Sequence, residues 1–280
     1  MVKFIGKASA LLVRQFRSLV SGGTDLRPEL AELRIKLTEL LTQTSQLSDA
    51  LRHANGLPIP PRHLQERVVG GYVPGFIDSG TRVMAEFESI LQCAGKRLTD
   101  FNHVLDLGVG CGRVIRRFHE LYSEADLTGA DIDQEAISWL QEHCGRIGRF
   151  VVLPYMPPSE LESESFDLVY AISVFTHLDE RMQFAWLSEL QRVTKPKGYV
   201  LLTVHGKHYQ LQQPPEIQRK IEAGFYFLET APATAGLPSF YRAAFHTKEY
   251  VLREWDRFFD TIAYNEQGVD HQDLVLCRKR

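Results

Sequence analysis

The chain has 280 residues, of which 44% are hydrophobic and 24% are charged, with 32 Lys and Arg against 35 Asp and Glu. These values are ordinary for a soluble folded protein and exclude a disordered, collagen-like or membrane-spanning chain. The formal net charge of -3 provides no general field for holding DNA or RNA, so we expect no nucleic-acid partner.

The cysteine pattern indicates a reducing environment. Four cysteines lie far apart, at positions 93, 111, 144 and 277. They form no CxxC pair and are too sparse for a secreted disulfide scaffold. The N-terminus also lacks an uninterrupted apolar run followed by a small-residue cleavage site. We therefore expect a cytoplasmic protein.

Residues 1–60 predict a helical arm. Residues 1–24 carry four basic and no acidic side chains, with apolar residues at helical spacing, as in a basic amphipathic helix. We favour a solvated or helix-packed face here over contact with a membrane. From Leu26 to Leu51, leucine occupies seven of eight seam positions spaced by four and three residues. A helix over this range would be about 39 Å long, which suits a coiled coil or a helical hairpin.

The dense prolines Pro58, Pro60 and Pro61 end this arm, because they cannot continue a helix. They predict a domain boundary near residue 60, with the arm at 1–60 and a second domain at 61–280. The leucine seam is compatible with a homodimer or with docking on the chain's own first helix, and the sequence does not choose between them.

From Phe101 onward, short β-rich runs alternate with helices. The predicted strands are HVLDL (103–107), ADLTGADI (125–132), RFVVL (149–153), FDLVYAI (166–172) and GYVLLTV (198–204). Helices are predicted from Arg113, Gln134 and Asp179. This alternation predicts βαβ units and a parallel sheet. Residues 205–246 interrupt the pattern, which resumes with a helix from Lys248 and two strands.

A glycine turn follows the first of these strands, where Leu107 runs into Gly108, Gly110 and Gly112. The glycines let the backbone turn sharply and approach a ligand at a helix N-terminus. The dinucleotide fingerprint GxGxxG fails, because Arg113 occupies the place of its third glycine. The chain also contains no Walker A sequence.

The spacing Asp106-x-Gly108-x-Gly110-x-Gly112 resembles motif I of the class I S-adenosylmethionine-dependent methyltransferases. The resemblance implies a seven-stranded Rossmann-like sheet, mostly parallel with the last strand antiparallel. It also implies that the glycines admit the methionyl part of S-adenosylmethionine and that Asp106 orients it. The later strands and the turn at residues 195–199 resemble the family in order and spacing, with no metal site expected.

Further cofactor residues are expected at the ends of the next strands. Asp131 ends the second strand, where a carboxylate can hydrogen-bond the ribose hydroxyls. Asp133 is its rival but is better placed to cap the helix from Gln134. The resemblance places Ile132 beneath the adenine ring and adds Pro154 and Ser173, which follow the third and fourth strands.

His177 is the candidate catalytic residue. It follows the fourth strand at the ligand edge of the sheet and could act as a general base, although it could also cap the helix near Asp179. His205 and His208 are a weak metal pair, because no third ligand lies at a suitable spacing. The aromatic residues within 205–246 form either a lid over the acceptor or a small satellite core.

The combined interpretation is a methyltransferase that acts on a small molecule such as a natural product or a saccharide. Two alternatives stay open at this stage: a non-catalytic nucleotide-binding scaffold that works through the leucine arm, and a protein or RNA methyltransferase. The sequence does not identify the acceptor atom.

A leucine seam that joins two copies of the chain can be tested by deleting the arm. Deletion of residues 1–55 should convert a dimer into a monomer in sedimentation while the second domain stays folded. An unchanged molecular mass after the deletion would show that the arm does not mediate a dimer.

Overall fold

The computed structural model describes residues 57–70, 75–230 and 236–280, together with Glu32 and Lys36. The chain divides into two units, residues 1–50 and 51–280. In the first unit, Lys36 Nζ lies 2.5 Å from Glu32 Oε1. The predicted basic helix and the leucine seam otherwise lie outside the described residues.

A seven-stranded sheet forms the centre of the second unit. The strands along the chain are β1 (His103–Leu107), β2 (Asp126–Asp131), β3 (Arg149–Val152), β4 (Phe166–Ala171), β5 (Thr194–Val204), β6 (Phe225–Leu228), β7 (Ala243–His246), β8 (Asp260–Val269) and β9 (Gln272–Arg278). The sheet order is β3-β2-β1-β4-β5-β9-β8, while β6 and β7 pair separately. Strands β1 to β5 are parallel, and β9 is antiparallel to both of its neighbours. The predicted α/β class and the antiparallel last strand are confirmed.

Helices connect these strands. They are α1 (Arg62–Val69), α2 (Phe76–Leu91), α3 (Ile115–Leu121), α4 (Gln134–Cys144), α5 (Glu180–Val193), α6 (Lys207–Leu211), α7 (Pro215–Ile221) and α8 (Lys248–Glu254). The starts predicted at Gln134 and Lys248 are confirmed, whereas the helix predicted from Arg113 begins at Ile115. Strand β5 begins four residues before the predicted Gly198. Within the described ranges, none of the helices combines the length and the apolar character needed to cross a membrane.

The core consists of two apolar layers, because alternate residues of each central strand face opposite sides of the sheet. On one side, Leu168 and Leu274 pack with Phe87 of α2 and Phe118 of α3. On the other side, Val169, Val200 and Val275 pack with Trp186 of α5, among other residues. The sheet is therefore a central layer with helices on both faces, and its strand ends are left free to form a site.

The residues before α1 belong to this unit. Leu57 is buried in the core layer of α2 and α3. The buried guanidinium of Arg116 in α3 donates to the carbonyl of Leu57 at 3.1 Å and to the carbonyl of Pro58. These bonds fix the chain as it enters α1.

Candidate functional site

A cavity of about 430 Å³ opens at the carboxyl ends of β1, β2 and β4. Its volume lies in the usual range for small-molecule sites, and its position is where open α/β sheets bind ligands. The walls are formed by α1, the glycine turn, the ends of the strands and the insertion between β5 and α8. The sequence-predicted residues among its lining are Gly108, Gly110, Asp131, Ile132, Ser173 and His177.

The glycine turn requires residues without a side chain. Gly108 has φ 79°, and a Cβ there would lie 2.3 Å from Val174 Cγ2. Gly110 has φ 53°, and a Cβ there would lie 2.5 Å from Val68 Cγ2 of α1. Both the left-handed backbone and the close approach favour glycine. Gly112, with φ 88°, packs against Leu140 instead and does not line the cavity.

Two carboxylates lie beneath the turn: Asp106, which is buried, and Asp131, which is half-buried. Asp131 lines the cavity, where its Oδ2 accepts the N–H of Gly110 at 2.7 Å and its Oδ1 accepts the N–H of Asp133 at 2.9 Å. Burial raises the pKa of Asp131 to about 6. Asp106 lies deeper in β1, and burial together with the nearby Asp131 raises its pKa to about 8. Asp131 lines the cavity and would gain from hydrogen-bond donors or positive charge brought by a ligand, whereas Asp106 is not among the lining residues.

Asp133 has the capping role that its position predicted. Its Oδ1 accepts the N–H groups of Glu135 and Ala136 at the start of α4, at 3.1 and 3.2 Å. The same carboxylate pairs with Arg67 of α1 at 3.0 Å, and Arg67 also pairs with Glu135 at 2.6 Å. These ion pairs connect α1 to α4 across the mouth of the cavity.

The remaining predicted cofactor residues lie along the same edge. Ile132 lines the cavity next to Asp131, whereas Pro154 lines an adjoining cleft that shares Ile132 and Arg67. Ser173 lines the main cavity with φ 57°. Its N–H donates to Thr203 Oγ1 at 2.8 Å, and its carbonyl accepts the hydroxyl of Tyr241 at 2.9 Å.

His177 has a defined tautomer. Its Nδ1 lies 2.7 Å from the carbonyl oxygen of Arg242. Because a carbonyl only accepts, Nδ1 carries the proton and Nε2 has the lone pair. Burial lowers the pKa of His177 to about 4, so the ring is neutral near pH 7. The cap of α5 is Asp179, which accepts the N–H of Met182, so capping by His177 is not observed.

The other two candidate histidines have separate partners. His205 is buried at the end of β5, and its Nδ1 donates to the carbonyl of Ala244 at 3.1 Å. His208 contacts Gln212 and stacks on His271, with ring centroids 4.6 Å apart. In the part of the chain that the structure describes, no three His, Cys, Asp or Glu side chains are grouped to hold a metal ion.

The side of the cavity beyond His177 is mostly apolar and aromatic. Tyr155, Met182 and Trp186 line it together with Phe240 and Tyr241 of the insertion. The rings of Tyr155 and Phe240 meet edge to face at 5.3 Å. Thus part of the predicted lid lines the cavity, while β6 and β7 form a small separate sheet.

Sequence reasoning missed several polar residues of the lining, among them Arg67, Arg113, Tyr209 and Gln272. A signal existed for Gln272. The last strand of the sheet was expected to be antiparallel, so its first residue had to lie at the ligand edge. The other three reach the cavity through packing between elements that no local pattern reveals.

Parts of the chain are similar to known methyltransferases. Residues 104–198 match a protein-family model described as a methyltransferase domain. Over 114 residues, or 35% of this chain, the sequence is 30% identical to a Schizosaccharomyces pombe protein described as an uncharacterized methyltransferase. The match covers 38% of that curated relative's length.

Solved structures share the fold. A protein from Pyrococcus horikoshii OT3 aligns with a TM-score of 0.50 and 18% identity, covering 71% of this chain and 90% of that one. A structure described as an S-adenosylmethionine-dependent methyltransferase, from Methanosarcina mazei, aligns with a TM-score of 0.47 and 18% identity, covering 64% and 92%. The first of these supports the assignment of the fold.

The buried histidines predict a pH-dependent stability. Burial lowers the pKa of His205 to about 3, so below the ordinary value of 6.5 the unfolded chain binds a proton that the folded chain does not. The free energy of unfolding should therefore decrease as the pH is lowered below about 6.5, by up to about 1.4 kcal/mol per pH unit for this residue. Asp106 contributes to the pH dependence in the opposite direction. Because its pKa is raised in the folded state, its contribution to stability is present at low pH and is lost as the pH rises.

The contribution of His205 is isolated by comparing variants. Urea unfolding of the wild type and of His205→Gln at about pH 7 and about pH 5 should show a smaller loss of stability in the variant. An equal loss in both proteins would contradict a neutral His205 in the folded state.

Proposed function

Because the chain carries a class I S-adenosylmethionine-dependent methyltransferase domain, we propose that it transfers a methyl group from this cofactor to a small-molecule acceptor. S-adenosylmethionine is the cofactor that this domain uses. The observation that carries the proposal is a single cavity in which the glycine turn and Asp131 adjoin a neutral histidine and an apolar wall. We propose a natural product or a saccharide as the acceptor class.

The residues present fit the cofactor. A carboxylate has about four lone-pair sites, and the described N–H partners of Asp131 use two of them. The others are available for the vicinal hydroxyls of a ribose. Gly108 and Gly110 leave space above the turn, and Ile132 offers an apolar surface for an adenine ring. When bound, the cofactor supplies an electrophilic methyl group on a sulfonium.

His177 would remove a proton from the acceptor. Its Nε2 can accept a proton from a hydroxyl or an amine, and the bond from Nδ1–H to the carbonyl of Arg242 keeps the ring in this tautomer. The ring stacks on Tyr241, with centroids 4.1 Å apart, which fixes its plane. The lowered pKa of His177 keeps it in the basic form over the physiological range.

The apolar wall would hold the acceptor and exclude water. Met182, Trp186 and Phe240 present side chains that bind apolar surface or the C–H face of a ring. A cavity that excludes water and holds the acceptor atom near the methyl group supplies most of what such a transfer needs, because positioning alone removes a large part of the activation barrier.

The cofactor assignment predicts binding of S-adenosylhomocysteine. At a hundredfold excess over its dissociation constant, this product should stabilise the protein by about 2.7 kcal/mol. Asp131→Ala should weaken its binding at least about tenfold, because the ribose contacts are lost. Asp133→Ala should mainly cost about 1 kcal/mol of stability through the lost helix cap. Calorimetry that finds wild-type affinity in Asp131→Ala would disprove the ribose assignment.

The role of His177 is tested by turnover per folded molecule. With an acceptor that the wild type methylates, His177→Ala should lower turnover about a hundredfold while affinity for S-adenosylhomocysteine stays nearly constant. Asp179→Ala is the matched control, because it removes the cap of α5 nearby at a cost of about 1 kcal/mol in stability and leaves turnover unchanged. Normal turnover in His177→Ala would remove this residue from the mechanism.

A further inference from the structure

A glutamine of α5 holds the backbone on both sides of His177. The Nε2 group of Gln183 donates to the carbonyl of Phe175 at 3.0 Å and to the carbonyl of Leu178 at 2.9 Å. Gln183 is 1% exposed and is not among the residues that line the cavity. Its side chain therefore acts on the protein itself, and its two hydrogen bonds span the segment that carries His177.

A buried histidine of the insertion fixes the orientation of this amide. His246 is the last residue of β7, and its Nε2 lies 2.9 Å from Oε1 of Gln183. Because Nε2 of Gln183 donates to two carbonyls, its Oε1 is the acceptor and Nε2 of His246 carries the proton. Burial lowers the pKa of His246 to about 3, so the ring is neutral near pH 7. A reversed amide would turn its oxygen toward the two carbonyls and lose both of their hydrogen bonds.

The pair of Gln183 and His246 lies in an apolar part of the core. The rings of Phe225, Tyr250 and Trp255 surround His246, with centroids at 5.1, 6.1 and 6.4 Å from its own. Its Nδ1 has no hydrogen-bond partner among the described residues. Buried polar groups carry a desolvation cost that apolar side chains of similar volume avoid. Stability alone therefore does not require this pair, whereas a fixed geometry of the adjoining loop does.

We infer that Gln183 and His246 are positioning residues for the proposed proton acceptor, acting through the backbone of residues 175–178. The inference rests on the proposed function, in which His177 removes the proton. Strand β7 holds the same segment from the other side, through a main-chain hydrogen bond of 2.7 Å to the carbonyl of Thr176. A displacement of about 1 Å is enough to slow a positioned reaction about a hundredfold. The amide of Gln183 thus determines where Nε2 of His177 lies relative to the acceptor.

The test uses Gln183→Met, which keeps a side chain of similar length but removes both donors. Methylation of a hydroxyl acceptor should slow about tenfold per folded molecule, while affinity for S-adenosylhomocysteine changes by less than about twofold. A thiol analogue of the same acceptor, ionised at the assay pH, needs no base and should react at the wild-type rate. Equal slowing with both acceptors is the result of a merely structural role and would overturn the inference.

A double variant shows whether Gln183 acts through His177. In the His177→Ala background, Gln183→Met should lower turnover no further, because the group that it positions is absent. Losses that multiply in the double variant would contradict the inference. Gln191→Met is the matched control, since Gln191 lies on the same helix but its Nε2 donates to the carbonyl of Phe258 at 2.7 Å. Turnover should stay unchanged in this control.

His246→Leu gives an independent test in a protein that retains Gln183. It removes the donor that orients the amide, so it should show the same selective loss with the hydroxyl acceptor. Addition of Gln183→Met should raise the urea midpoint above that of His246→Leu, because no buried amide is left without its donor, while turnover stays low. Wild-type turnover in folded His246→Leu would remove His246 from the inference.

The outcomes separate the two proposals. If His177→Ala lowers turnover and Gln183→Met does not, the inference is wrong and the proposed function stands. If His177→Ala also leaves turnover unchanged, the proposed role of His177 itself fails.

Discussion

The half-buried carboxylate of Asp131 makes the hydrogen bonds on which the rest of the site depends. One oxygen holds the glycine turn through Gly110, and the other holds the start of α4 through Asp133. Asp133 in turn caps α4 and pairs with Arg67, which fixes α1 above the turn. Asp131 therefore connects the glycine turn to the start of α4, Asp133 connects α4 to α1, and Asp131 still lines the ligand cavity.

This arrangement has an electrostatic cost. Burial raises the pKa of Asp106 and of Asp131, and the charge of Asp131 raises the pKa of Asp106 further. In the proposed function, a ligand that brings hydroxyl donors to Asp131 offsets part of this cost.

The sequence predicted what depends on neighbouring residues. Strand β1, the glycine turn that follows it and the helix cap at Asp133 are local features, because each relies on backbone groups a few residues away. The tautomer of His177 was not predictable, since its partner Arg242 lies 65 residues along the chain. Arg67 and Arg113 were missed for the same reason: each acts through ion pairs with Asp133 or Asp270, which only the packed structure brings together.

The site also separates two kinds of recognition. The residues proposed to bind the cofactor come from the edge of the sheet, where backbone geometry leaves little freedom. The acceptor wall comes largely from α5 and from the insertion between β5 and α8, which supplies Phe240 and Tyr241. Tyr241 connects the sheet edge to the acceptor wall, because its hydroxyl donates to the carbonyl of Ser173 and its ring stacks on His177. Packing of the insertion against the sheet therefore fixes the ring plane of His177, the proposed base. The contacts of Tyr241 thus position both the proposed acceptor wall and the proposed proton acceptor.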